Sequence, residues 1–198
     1  MSCRFVKKNA SCLDTFEENE FDLVLCFDGA ISFSGHKAND VISEVCRVGK
    51  KVMLSVSSKS CMTATWLNYS LTKLNRIHPS VKDMMETGYF CKANYEDADE
   101  LTSIAELKAY DADELSCVLN ANGMKVLECR SIGSLTHLYL MHLYRQNVAE
   151  EVHEKINAIS SDKEFLEICD YYDKNVMPCG MGSFRRAGIF AVAEKANG

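Results

Sequence analysis

One ordered trio of segments constrains the fold of this chain most. "FDLVLCF", at residues 21–27, is an apolar run with polar turns on both sides. Such a run reads as a parallel strand covered on both faces. "SGHKANDVISEVCRVGKK" then changes period. Ala38, Val41, Ile42, Val45 and Val48 fall on one helical face. Gly49 stands where a left-handed C-cap belongs, and Lys50 and Lys51 suit the negative end of the helix dipole. "KVMLSVS" is a second β-rich run. Strand, helix, strand is a βαβ unit, which demands a parallel pair and a right-handed crossover.

The remaining segments extend that unit. Cys3, Phe5 and Val6 predict a short opening strand that ends near Asn9. Residues 58–108 break the alternation and predict an inserted helical segment over one end of the sheet. Leu67, Leu71 and Leu74 have helical spacing there, and Pro79 precedes a short helix stopped by Gly88. Regularity returns at "AYDADELSCVLNANGMKVLECR". Asp111 and Glu114 form a capping box, Leu115, Val118 and Leu119 form the buried face, and Gly123 ends the helix before a strand. Two helical stretches follow, near 134–156 and 162–175, the second with Ser161 and Glu164 as a capping box. "AGIFAVAEK" is a last strand. The sum is a single α/β domain over residues 1–198, with helices on both faces of a sheet.

Composition narrows the function. The net charge is -6, which argues against nucleic acid as a partner, because phosphate backbones select basic patches. No apolar run approaches the ~20 residues that span a bilayer, and the opening residues lack a secretory h-region. The ten cysteines include no C-x-x-C pair, so they read as reduced core thiols of a cytoplasmic protein with no metal site. His137 and His142 are five apart, which is not the spacing of a helical metal pair.

The order of elements, from "FDLVLCFDGAIS" through "CRVGKKVMLSVSS" and "AYDADELSCVLNANGMKVLECR" to "RRAGIFAVAEK", resembles the class I S-adenosylmethionine-dependent methyltransferases. The resemblance implies a Rossmann-like sheet. In it, "FDLV" begins the fourth strand, "VMLSV" is the fifth, "MKVLECR" the sixth and "GIFAVAEK" the seventh, antiparallel to its neighbours. The family sheet runs third, second, first, fourth, fifth, seventh, sixth. The chain departs from the family where the first strand should end in a glycine-rich turn. No G-x-G occurs, and "GMG" at 180–182 follows no strand. The resemblance therefore covers the C-terminal two-thirds of the family domain, truncated at its N-terminus.

The resemblance implies S-adenosylmethionine as cofactor and a small-molecule acceptor. Asn9 and Ala10 match the adenine-contacting position after the third strand. Asn9 has an alternative role, in stabilising its own turn. Phe27, Asp28 and Gly29 match the active-site edge. There Asp28 would orient an acceptor or take its proton, or else would cap the following helix. Tyr110, Trp66, Tyr69, His137 and His142 are candidates for the acceptor pocket, with core packing as the alternative role of the three aromatic residues. With the first two family strands missing, "FDLVLCF" becomes an apolar sheet edge. Such an edge invites self-association or a partner chain. Two functions follow: a methyltransferase, or a non-catalytic methyltransferase-like subunit that completes or regulates a partner. A nicotinamide-dependent oxidoreductase would need the same missing glycine loop and leaves the last strand unexplained.

Overall fold

The computed structural model describes residues 5–136, 139, 143, 149–175 and 188–196. Its frame is a four-stranded mixed sheet in the order β1-β2-β6-β5, built from β1 (Val24–Cys26), β2 (Lys51–Ser57), β5 (Met124–Ile132) and β6 (Gly188–Lys195). β1 and β2 are parallel, with Val24 opposite Val52 and Cys26 opposite Leu54. β6 runs antiparallel to both β2 and β5. This is the fourth-fifth-seventh-sixth order, with its reversed last strand, that the resemblance implied.

Alternation along β2 and β6 explains the main core. Val52, Leu54, Val56, Ile189, Ala191 and Ala193 point to one face and are buried. Helix α1 (Ala38–Val48) covers them with the apolar stripe read from the sequence, and α5 (Ala112–Ala121) lies beside it with Leu115 and Leu119. The Glu114 backbone N–H donates to Asp111 Oδ1 at 2.8 Å, so Asp111 caps the helix as predicted, while the Glu114 carboxylate accepts from Lys108 Nζ at 2.5 Å instead of completing the box. On the opposite face Arg130 lies over the Phe190 ring and reaches Asp170 of the helix Lys163–Asn175 at 3.1 Å. Among the described residues, no helix is long and apolar enough to cross a membrane.

Four sequence expectations are corrected. "FDLVLCF" is not covered on both faces: β1 is a three-residue edge strand, and Leu23, Leu25 and Phe27 are 47%, 58% and 40% exposed. Residues 5–9 form no strand, and Phe5 is 93% exposed. A strand needs a partner for its ladder, and none is formed there among the described residues. Gly49 is extended (φ -105°) rather than left-handed. Its glycine is explained by close approach, since a Cβ would meet Val24 Cγ2 at 2.8 Å. The cap before Lys163–Asn175 is Asp162, which accepts from the Phe165 N–H, rather than Ser161.

The segment 58–108, expected to be helical, is part helix and part ribbon. It comprises α2 (Lys59–Tyr69), a π-turn at Ser70–Leu74, α3 (Ser80–Thr87), β3 (Tyr89–Cys91), α4 (Ala98–Leu101) and β4 (Glu106–Lys108). β3 and β4 pair antiparallel. Trp66, Met84, Phe90, Leu101 and Leu107 give the segment a core of its own. It is tied back to the sheet by a 3₁₀ helix at Ser32–Lys37, where Glu106 Oε2 accepts from the His36 backbone N–H and lies 2.7 Å from His36 Nδ1. The His36 backbone N–H, and then its ring, hold the Glu106 carboxyl below its ordinary 4.5.

A carboxyl depressed on folding stabilises the fold above its unfolded value and loses that contribution as pH falls through the folded value. Glu106→Gln is therefore expected to destabilise the protein at pH 7 and to do so by less at pH 3. Urea melts at the two pH values check this. An equal difference at both would show that the ionised form of Glu106 is not what matters.

Candidate functional site at the carboxyl end of the sheet

The site begins with a turn. After β1 the chain reverses over Phe27–Ala30, with φ of 64° at Asp28 and 84° at Gly29 and the Ala30 N–H donating to the Phe27 carbonyl. Two consecutive left-handed residues are the signature of a type I′ turn, and Asp-Gly is a favoured pair for it. A Cβ on Gly29 would lie 2.5 Å from the Phe33 ring. The turn lifts Asp28, exposed, to the carboxyl end of the sheet. In open α/β sheets that end is where ligands bind.

The Asp28 carboxylate makes no hydrogen bond or ion pair among the described residues. The 3₁₀ helix that follows is preceded by Ile31 and has no side-chain cap. The capping role open to Asp28 in the sequence is thus not the one it plays.

Asp28 lines a cavity of about 460 Å³. Ser55 and Ser57 of β2, Met62, Trp66 and Tyr69 of α2, and Phe33, Ile104 and Leu107 line it as well. The wall is mostly apolar and aromatic with a few polar groups, the usual character of a small-molecule site. Among the described residues, no Lys, Arg or His lines it. Trp66 is fully buried, and its indole Nε1–H has no hydrogen-bond partner among the described residues.

The other sequence candidates lie elsewhere. The Phe27 ring stacks on Phe190 with centroids 6.3 Å apart. Asn9 Oδ1 accepts from the Ser11 N–H at 3.1 Å and its hydroxyl at 3.0 Å, so Asn9 stabilises its own turn. Ala10 packs against the sheet core. Tyr110 sits in that core, off the cavity wall, and donates to Asn39 Oδ1 at 2.8 Å. Burial pushes its phenol well up. His137 and His142 lie outside the described residues.

Sequence reading missed His78. The buried imidazole accepts at Nδ1 from the Ser80 hydroxyl at 2.6 Å, and Nε2 lies 2.9 Å from Asp97 Oδ1. The types match a Ser-His-Asp triad, but serine bonds the ring nitrogen that the acid takes in the serine-protease arrangement. His78 and Ser80 are both buried and neither lines the cavity. The set is a structural lock on the start of α3. Its only early signal was "RIHPS" ahead of a helix.

The described residues do not form a cradle for S-adenosylmethionine. After β1 the Cβ space of Gly29 is filled by Phe33 and that of Gly35 by Glu106, so these glycines serve internal packing rather than ligand approach. Asn9 Oδ1 is already engaged.

No family model matches the sequence, and no curated protein matches it. Among solved structures, a SAM-dependent methyltransferase from Methanosarcina mazei aligns with a TM-score of 0.48 at 15% identity, over 96% of this chain and 66% of its own. The 4+2 cyclase SpnF aligns at 0.45 and 17%, over 98% and 56%. A phosphoethanolamine N-methyltransferase of Haemonchus contortus, bound to phosphomonomethylethanolamine and S-adenosylhomocysteine, aligns at 0.42 and 13%, over 92% and 35%. The chain thus spans about two-thirds or less of the length of each. At this level of likeness none of their ligands or activities passes to this chain.

Proposed function

We propose that this chain is the acceptor-binding side of a S-adenosylmethionine-dependent methyltransferase site, with a small molecule seated in the cavity beside Asp28. One observation carries the reading. Asp28 is held in a left-handed turn at the carboxyl end of β1, its carboxylate makes no hydrogen bond or ion pair among the described residues, and it lines a mostly apolar cavity of about 460 Å³. The sheet order with its reversed β6 supports it. Asp28 would orient a donor on the acceptor or receive its proton. The β2 serines would position polar groups, and α2 would exclude water.

The only tryptophan in the chain, Trp66, lines the cavity, so its fluorescence reports occupancy. Small aromatic fragments are expected to perturb it saturably in the parent and not in Ser55→Phe, which fills part of the cavity. Binding undiminished by Ser55→Phe would overturn the reading. Lacking a cradle among its described residues, the chain alone is expected to bind S-adenosylhomocysteine no tighter than about 100 µM in calorimetry. Micromolar binding would contradict that.

A second reading is favoured by the edge position of β1 and its exposed Leu23 and Leu25. Here the chain is a non-catalytic subunit that takes a strand from another chain. Light scattering decides it: a monodisperse monomer that melts cooperatively would count against this role.

A further inference from the structure

We infer that the ligand of the cavity is an organic cation, an apolar body carrying an ammonium group that docks at Asp28; this rests on the reading of the cavity as a small-molecule site. Charge is the first reason. Among the described residues Asp28 is the only charged one in the wall, and its carboxylate has no protein partner among them. A ligand bearing its own carboxylate would meet a like charge and find no counter-cation among the described lining residues. A neutral ligand would gain no charge attraction from Asp28.

The rings are the second reason. The Phe33 ring closes against Gly29, next to Asp28, and is 58% exposed. Aromatic faces attract ammonium groups through their quadrupole. The Tyr69 ring already faces Lys73 Nζ at 4.5 Å, which is held by the Leu101 carbonyl. A second cation is therefore disfavoured at that end and is directed to the Asp28 end. Beyond the ammonium, Met62, Ile104 and Leu107 offer an apolar surface for the body of the molecule.

The probes are benzylammonium, benzyl alcohol and phenylacetate, of similar size and of positive, zero and negative charge. They are titrated at pH 7 and low salt into the full chain, with Trp66 fluorescence as readout. The expected order of affinity is benzylammonium, then benzyl alcohol, then phenylacetate. Asp28→Asn is expected to weaken benzylammonium about fivefold, in keeping with an exposed carboxylate partner, and to leave benzyl alcohol unchanged. Asparagine tolerates the left-handed backbone, so the turn survives the substitution.

Equal affinities for the three probes would overturn the inference, and so would a loss in Asp28→Asn shared by benzyl alcohol. Either result leaves the cavity itself standing as a small-molecule site. Failure of all three probes to bind would overturn both this inference and the reading beneath it.

Discussion

Trp66→Ala is expected to lower stability by about 3–5 kcal/mol, the range for truncating a large buried aromatic, and to lower the melting temperature by roughly 10 °C for a domain of this size. Trp66 is fully buried at the centre of the inserted segment. Its ring meets Phe90 edge-on with centroids 5.0 Å apart and Tyr69 at 6.2 Å. Alanine would leave Met84, Phe90 and Leu107 facing a void that close-packed neighbours relax into only partly. One opposing effect sets the figure toward the lower end. The indole N–H is buried without a partner among the described residues, and its removal lifts a desolvation cost. Because Trp66 also lines the cavity, the variant is expected to lose fragment binding. Trp66→Phe, which keeps most of the volume, would recover part of both. Urea melts followed by far-UV circular dichroism measure the stability. A loss below about 1 kcal/mol would mean that this residue is not a core anchor.

The parts of the fold that the sequence disclosed are those with a local cause. The α1 stripe, the Asp111–Glu114 cap and the left-handed Gly88 and Gly123 each follow from a few neighbouring residues, and each forms. The turn at Asp28 and Gly29 was also legible in principle, since Asp-Gly favours two left-handed residues. What stayed hidden depends on distant partners. Apolar composition alone left the coverage of "FDLVLCF" undecided, because burial depends on what packs beside a strand. The β3–β4 ribbon rests on three-residue strands, too short to show alternation. Gly49 read as a cap because its close contact, Val24, is 25 residues away. The cavity joins β2, α2 and β4 with the turn after β1, so no single segment announced it. Of the sequence candidates among the described residues, Asp28, Gly29, Trp66 and Tyr69 line it. His78 escaped because its partner Asp97 is 19 residues on.

Gly88→Val is expected to cost more than about 3 kcal/mol, through two independent causes. Gly88 closes α3 with φ +67°, a conformation that costs an L residue about 1–2 kcal/mol and a β-branched one more. A Cβ there would also lie 2.1 Å from the Ala109 carbonyl oxygen. That neighbour is backbone and cannot swing aside. It is fixed because the Ala109 N–H donates back to the Gly88 carbonyl at 2.6 Å, and the next residue, Tyr110, is bonded to Ser57 at the end of β2. The substitution therefore strikes the seam between two hydrophobic clusters: Trp66, Met84 and Phe90 on one side, and Val52, Leu54 and Leu115 on the other. Opening the seam exposes the first cluster while α1 and α5 still cover the sheet. In the parent, Trp66 fluorescence and far-UV circular dichroism are expected to report one coincident transition. In Gly88→Val the fluorescence transition is expected to move to lower denaturant, ahead of the dichroism. Gly88→Ala should fall between, with the backbone clash but less crowding beyond it. Coincident transitions in the valine variant would mean that the two clusters stand or fall together, and that the α2 side of the cavity cannot loosen without the sheet.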